Sequence, residues 1–228
     1  MAVLVTLAAL GGFWLRRPAE RPALGLFTSL PILWNEAPDM GGMIDDKAPP
    51  HWSKAALAAD YRVVPLDTLL TPGTLRLLLM AQPRPLSPQE NVALDGWVRG
   101  GGRLLLFADP MATRDSVFAP GDRRRPQDVA LLSPILARWG LDLTFDDSQP
   151  AGLRESARSA IPVNLPGALV LRAGNSTCEV KRAGLVAECP IGAGFALIVA
   201  DSAVFDSSVA DADQDRVLRA LARRAFMD

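Results

Sequence analysis

Two apolar runs, Leu77 to Ala81 within "LRLLLMAQP" and Leu104 to Ala108 within "RLLLFADP", lie on either side of a helix-forming stretch. Strands half-exposed to water alternate apolar and polar residues; continuous runs suit strands covered on both faces. The stretch between them, Leu86 to Gly102, carries strong helix punctuation. Ser87 can cap, Pro88 occupies the first helical position, and Glu90 stands three residues after the cap. Leu94, Trp97 and Val98 share one face, Val92 lies beside that stripe, and Gly100 to Gly102 end the helix. Strand, helix, strand over Leu75 to Pro110 is a βαβ unit, and it commits the chain to a parallel sheet with helices packed on it.

Further strands are expected at Leu24 to Pro31, Tyr61 to Asp67, Leu141 to Asp147 and Gly194 to Phe205. Helices are expected at Ser53 to Asp60 with Ser53 as a cap, at Val129 to Gly140 around Pro134, and at Asp211 to Asp228. In the last, acidic residues precede arginines as the backbone dipole prefers, and Val217, Leu221 and Ala225 face the sheet, helped by Leu218. The fold class is therefore α/β, a flavodoxin-like three-layer sandwich with a mostly parallel central sheet and a small antiparallel insertion.

The two cysteines bracket a near-palindrome, "CEVKRAGLVAEC". A two-residue turn at Ala183 and Gly184 pairs Lys181 with Val186, Val180 with Ala187, Glu179 with Glu188, and Cys178 with Cys189. Cys178, Val180, Ala187 and Cys189 then share an apolar face. Opposed cysteines are within reach of a disulfide; a reduced pair of core cysteines is the alternative. A lasting disulfide belongs to an oxidising compartment, here the bacterial periplasm.

The first fifteen residues, "MAVLVTLAALGGFWL", carry no charge, and Arg16 and Arg17 come next. A spanning helix needs about 20 apolar residues. Residues 1–17 are expected to be a truncated membrane anchor, with a buried core segment as the rival reading. Residues 18–23 form a linker, and 24–228 form the α/β domain, with an antiparallel hairpin region at about 161–190. Arg16 and Arg17 taken alone hold the downstream chain in the cytoplasm; the cysteines point the other way. The favoured localisation is the inner membrane with a periplasmic domain.

With 24 basic and 25 acidic side chains, the chain has no basic excess to hold a nucleic acid. No cofactor motif is present: "GWVRGGG" ends a helix and does not come after a strand. Two cysteines and His51 do not make a zinc set, so no metal is expected. His51, read as a surface loop residue, has no nucleophile partner, and no G-x-S-x-G elbow occurs. In an open parallel sheet, ligands bind beyond the C-terminal ends of the strands. Ser29, Glu36, Gln82, Asp109 and Asp201 are directed to that rim. They form a candidate ligand pocket, or Asp109 and Asp201 tie down backbone amides there. The "GDRRRPQD" segment from Gly121 reads as a solvated loop, with lipid headgroups or a protein partner as the functional alternative.

The pattern from Leu75 to Pro110, a "LSPQE" helix start, a glycine stop and a strand ending "ADP", resembles the glutamine-amidotransferase-like domain of GldG-type proteins. These are auxiliary components of ABC-type transport systems. "GAGFALIVADSAVF" and "LGLFTSLPILWNE" resemble the same family. The resemblance implies a domain outside the cytoplasm, partnered with a transporter membrane subunit or another envelope protein. The turn Met80 to Pro83 has no cysteine and the C-terminal half no histidine, which argues against glutamine hydrolysis. The expectation is a non-catalytic, membrane-tethered binding or scaffold domain whose partner is an envelope protein or a small polar ligand. A hydrolase acting on a sugar or other small polar substrate, or a purely structural domain, are the alternatives.

Overall fold

The computed structural model describes residues 20–43, 50–156, 160–174, 177–206 and 212–227. In chain order the elements are β1 (Ala23–Thr28), α1 (Met40–Met43), α2 (Trp52–Asp60), β2 (Arg62–Pro65), β3 (Leu77–Ala81), α3 (Pro88–Arg99), β4 (Arg103–Phe107), α4 (Ser133–Arg138) and β5 (Leu141–Thr144). Next come β6 (Arg154–Glu155), β7 (Pro162–Val163), β8 (Ala168–Leu171), β9 (Glu179–Lys181), β10 (Val186–Ile191), β11 (Gly194–Val199) and α5 (Ala212–Phe226).

The central sheet has seven strands in the order β2-β1-β3-β4-β11-β10-β9. The first five are parallel, with Leu24 opposite Leu77, Leu77 opposite Arg103 and Arg103 opposite Phe195. β10 runs antiparallel to β11, and β9 antiparallel to β10. Two antiparallel pairs, β5 with β8 and β6 with β7, stand apart from it, while the cysteine hairpin of the expected 161–190 region instead extends the central sheet as β9 and β10.

The apolar runs sort by parity, as alternating strand faces require. On one face Leu24, Leu26, Leu79, Leu105, Phe107, Leu197 and Val199 pack with α2 and α5. On the other, Leu78, Met80, Leu104, Leu106, Ala196 and Ile198 pack with α3 and α4. Both faces are covered, which gives the three-layer sandwich and explains the lack of alternation. α3 begins with the expected capping box: Ser87 Oγ accepts from Glu90 N at 3.1 Å, and Ser87 N donates to Glu90 Oε2 at 3.0 Å. Its end packs tightly on β11. A Cβ at Gly194 would sit 2.0 Å from the Val98 carbonyl, so only glycine fits.

The hairpin register is the mirrored one: Lys181 faces Val186, Val180 faces Ala187, and Glu179 faces Glu188. The turn uses left-handed backbone at Ala183 (φ 56°) as well as Gly184 (φ 93°), and Leu185 N donates to the Arg182 carbonyl. A disulfide joins Cys178 to Cys189. Both are buried in the α3/α4 face. On the opposite side of the ladder Glu188 takes Lys181 Nζ at 2.8 Å and Arg224 Nε at 2.9 Å, which ties the hairpin to α5.

Several expectations change. Ser53 lies inside α2; the cap is His51, which is buried, not a surface loop residue. Its Nδ1 lies 2.8 Å from Ser53 Oγ and its Nε2 3.2 Å from the Phe205 carbonyl. α4 is six residues long because Pro134 fits only a first helical turn. In α5 the buried stripe centres on Leu218, Leu221, Ala222 and Ala225, with Val217 at its margin. The transmembrane helix expected at the N-terminus is corrected. Among the described residues no helix is long and apolar enough to cross a membrane. The longest, α5, has 15 residues, a rise of about 22 Å against a hydrocarbon core of about 30 Å. Residues 1–17, on which that expectation rests, lie outside the described residues.

The disulfide closes a short loop, and such links stabilise by about 3 kcal/mol. A Cys178→Ala/Cys189→Ala double variant is expected to lose at least that much in urea unfolding. A loss below about 1 kcal/mol would show that the hairpin is held by packing alone.

Candidate functional site

The chain runs from β1 outward to β2, then crosses back to β3, and β4 and β11 lie on that side. The order therefore reverses between β1 and β3, and the crevice at their C-terminal ends is where such sheets take ligands. The strands stop there in mid-ladder, so backbone groups at their ends need other partners.

Side chains supply them. Gln82, immediately after β3, is fully buried and holds a left-handed backbone (φ 43°). Its Nε2 donates to the carbonyls of Asp109 and Gln127, both at 3.0 Å, and its Oε1 accepts from Asp109 N at 2.9 Å. Ser29 Oγ donates to the Gln82 carbonyl at 2.5 Å and accepts from Gln127 N at 2.9 Å. Asp109 Oδ1 accepts from Met111 N, and its Oδ2 accepts from Ser202 N and Ser202 Oγ. Asp201 accepts from Ala203 N at 2.6 Å and Asn164 N at 2.9 Å. Glu36 accepts from Ser116 Oγ and Val117 N, and Arg114 stands 3.9 Å away. Ser29, Gln82 and Asp109 thus form one bonded chain. Asp201 neighbours it through Ser202, and Glu36 holds the far part of the same loop. Each of the five bonds to protein atoms.

The acids here are costly to ionise. Burial, then the Asp109 carboxylate, pushes Asp201 up to about 8. Burial also raises Asp109 and Asp206, against the hydrogen bonds to Asp109 and the Arg114 charge beside Asp206.

The segment that this wiring holds runs from Asp109 to Leu132. Gln127 is gripped by Ser29 and Gln82, and two backbone bonds close the loop: Ala112 N to the Asp128 carbonyl and Ala130 N to the Asp109 carbonyl, both 2.8 Å. Buried Phe118 anchors the middle, with Trp34 at 6.1 Å between ring centroids. Arg123, Arg124 and Arg125 are thereby set over the crevice, opposite Arg84. Together with Ser29 and Trp34 they line a cleft of about 560 Å³; Asp67 is the one acid on its wall. Arg84 is a fixed wall. It makes a bidentate pair with buried Glu90 (2.7 and 2.9 Å), donates to the Asp67 carbonyl and lies over the Phe27 ring. That pairing, chiefly the Arg84 hydrogen bonds, holds the Glu90 carboxyl well below its usual range. Arg124 pairs with Asp122 and lies 4.3 Å from the Phe118 centroid; Arg125 pairs with Asp128. Arg123 has no hydrogen-bond or ion-pair partner among the described residues. Arg123 and Arg124 are solvent-exposed, as the loop reads from sequence; the cleft that they line is what the sequence does not show. The signal that could have found them was three consecutive arginines before a proline, in the loop after a strand ending in Asp-Pro.

Two outcomes are expected for the acids. Asp109→Ala leaves the amides of Met111 and buried Ser202 without their carboxylate partner, at about 1–3 kcal/mol for a buried group. It is expected to lower unfolding free energy by about 2 kcal/mol or more, and a change below about 0.5 would contradict the capping role. For Asp201 the folded state binds its proton more tightly than the unfolded chain does. Stability from this group is complete below the ordinary carboxylate pKa and is lost as pH rises towards about 8. Melting temperature between pH 5 and about 8.5 is expected to fall more steeply in wild type than in Asp201→Asn. Parallel profiles would contradict the assignment.

No curated protein matches the chain in sequence. Among solved structures, the mmIFT52 N-terminal domain is similar with a TM-score of 0.51 and 12% identity, over 88% of this chain and 97% of that one. An exo-beta-1,4-mannosidase from an Opitutaceae bacterium (TM-score 0.45, 15% identity) and a cold-adapted beta-galactosidase from Rahnella (0.46, 15%) are matched over 90% of this chain. The chain spans only 34% and 31% of those two enzymes. The first likeness bears on fold alone, and the glycosidase likenesses carry no functional argument. A family model described as "ABC-type uncharacterized transport system", ABC_transp_aux, matches residues 22–149, from the start of β1 past β5 and through the arginine loop. That is more than half the chain, and the protein belongs to this ABC-type transport auxiliary family.

Proposed function

We propose that this protein is a non-catalytic binding or scaffold domain of a bacterial ABC-type transport system, working in the periplasm beside a transporter membrane subunit. Family membership supports the system, and the buried disulfide supports an oxidising compartment. The motif likeness to an amidotransferase-like domain is compatible with this role, because the turn after β3 carries Gln82 where a nucleophile would stand.

The observation that carries the non-catalytic reading is the wiring of the rim. The Ser29 hydroxyl donates to an amide carbonyl and accepts from an amide N–H, and neither group can take its proton. His51 Nε2 faces the Phe205 carbonyl. Asp109 and Asp201 each accept from backbone amides. Ser29 and Asp109 hold the arginine loop at Gln127 and Met111, Asp201 and His51 bond other backbone, and the loop lines a cleft. Binding needs that arrangement; bond cleavage needs a poised nucleophile and base.

Affinity purification of the tagged protein from cross-linked cells is expected to recover an ABC transporter membrane subunit. Recovery of the protein with no transporter component would overturn the reading. For the compartment, thiol labelling of protein from intact cells is expected to leave Cys178 and Cys189 unmodified until reductant is added. Full labelling without reductant would place the domain in a reducing compartment.

A further inference from the structure

We propose that the cleft between β1 and β3 binds a ligand through an oxyanion, a phosphate or carboxylate group, held by Arg123 and Arg124 with Arg84 and Arg125 as its walls. This rests on the reading of the domain as a binding module and names the chemistry of its ligand.

Four guanidinium groups from two separate parts of the chain line one cleft of about 560 Å³, the size of a small-solute site. Guanidinium forks match the paired oxygens of phosphates and carboxylates. The four are not equivalent. Arg84 is fixed by Glu90, which is itself buried and accepts from Ser87 N, Leu69 N and Thr68 Oγ1. It contributes shape and field with little freedom to move. Arg124 and Arg125 pair with Asp122 and Asp128 only two and three residues away, and these acids are not in the cleft wall. The exposed Arg124–Asp122 pair contributes little, so a ligand oxyanion can replace it; Arg125 is more enclosed and also donates to the Phe118 carbonyl at 2.8 Å, which keeps it in place as a wall. Arg123 has no partner among the described residues to give up. Asp67 on the wall opposes the site and favours a ligand that keeps its charge towards the arginine loop. Half-buried Trp34 gives the cleft an aromatic wall, which suits a ligand with a flat or sugar-like body.

A solution solute and a lipid headgroup offer the same chemistry. The test therefore has two arms on the full chain. Calorimetric titration uses inorganic phosphate and glucose 6-phosphate, with glucose as the neutral control. Vesicle sedimentation uses phosphatidylglycerol in phosphatidylcholine against phosphatidylcholine alone. Binding of glucose 6-phosphate but not glucose, weakened about tenfold or more in Arg123→Ala and in Arg124→Ala, supports a solute. Selective sedimentation with phosphatidylglycerol, lost in the same variants, supports a headgroup. Arg216→Ala on α5, outside the cleft, is expected to bind like wild type. The melting temperature of Arg123→Ala is expected to match wild type, because it removes no partner of a buried group; Arg124→Ala also loses its contact with the buried Phe118 ring, so its affinity is compared well below its own melting temperature. No binding in either arm, binding of glucose equal to its phosphate, or affinity unchanged in Arg123→Ala and Arg124→Ala would overturn the proposal. None of these results depends on recovering a transporter subunit, so this inference and the partnership can fail separately.

Discussion

A parallel sheet covered on both faces must finish its strands without water or a neighbouring strand to satisfy every backbone group. In this protein the constraint falls on one rim, where β1, β3, β4 and β11 end. Gln82 answers it most directly. One side-chain amide satisfies the amide and carbonyl of Asp109 after β4 and the carbonyl of Gln127 in the loop beyond. The left-handed backbone of Gln82 costs on the order of 1 kcal/mol, less than leaving those three groups unpaired in a buried site. Asp109 and Asp201 act likewise for the turn after β11, at the expense of gathering carboxylates where charge is poorly solvated.

Function and stability meet in the loop that this rim holds. Its middle segment carries three arginines and would be free to drift if only exposed ion pairs restrained it. Ser29 and Gln82 grip Gln127, and Phe118 buries against Trp34, so the arginines, exposed at Arg123 and Arg124, stand at the topological switch point. Across the cleft, Arg84 is immobilised by the same glutamate that caps α3. A fixed cationic wall thus faces a loop that carries one exposed local ion pair, at Arg124, a division of labour that the proposed oxyanion site would use.

Much of the sandwich was legible because its signals are local. The capping box at Ser87 and Glu90, the unbroken runs of β3 and β4, and the mirrored cysteine hairpin each lie within a dozen or so residues. The rim residues were also legible as a group, since topology alone brings strand ends together. The partner that each one bonds was not. Ser29 reaches Gln127 across 98 positions and Gln82 reaches it across 45, distances at which residue type says nothing about partners. For the same reason His51 read as a surface residue although it caps α2 and faces the carbonyl of Phe205, and the arginine run, solvent-exposed at Arg123 and Arg124 as it reads, gave no sign of the cleft that it lines. The membrane-spanning helix came from hydropathy at the extreme N-terminus, and no described helix meets the length and apolarity it needs.

The central claim is that the strand-end side chains exist to position the arginine loop. Hydrogen exchange on Gln82→Ala, compared with wild type, tests it most directly. Faster exchange is predicted at the amides of Ala112, Gln127 and Ala130, with the amides inside β3, β4 and β11 still protected. Unchanged protection in the loop, or uniform loss across the sheet, would contradict it.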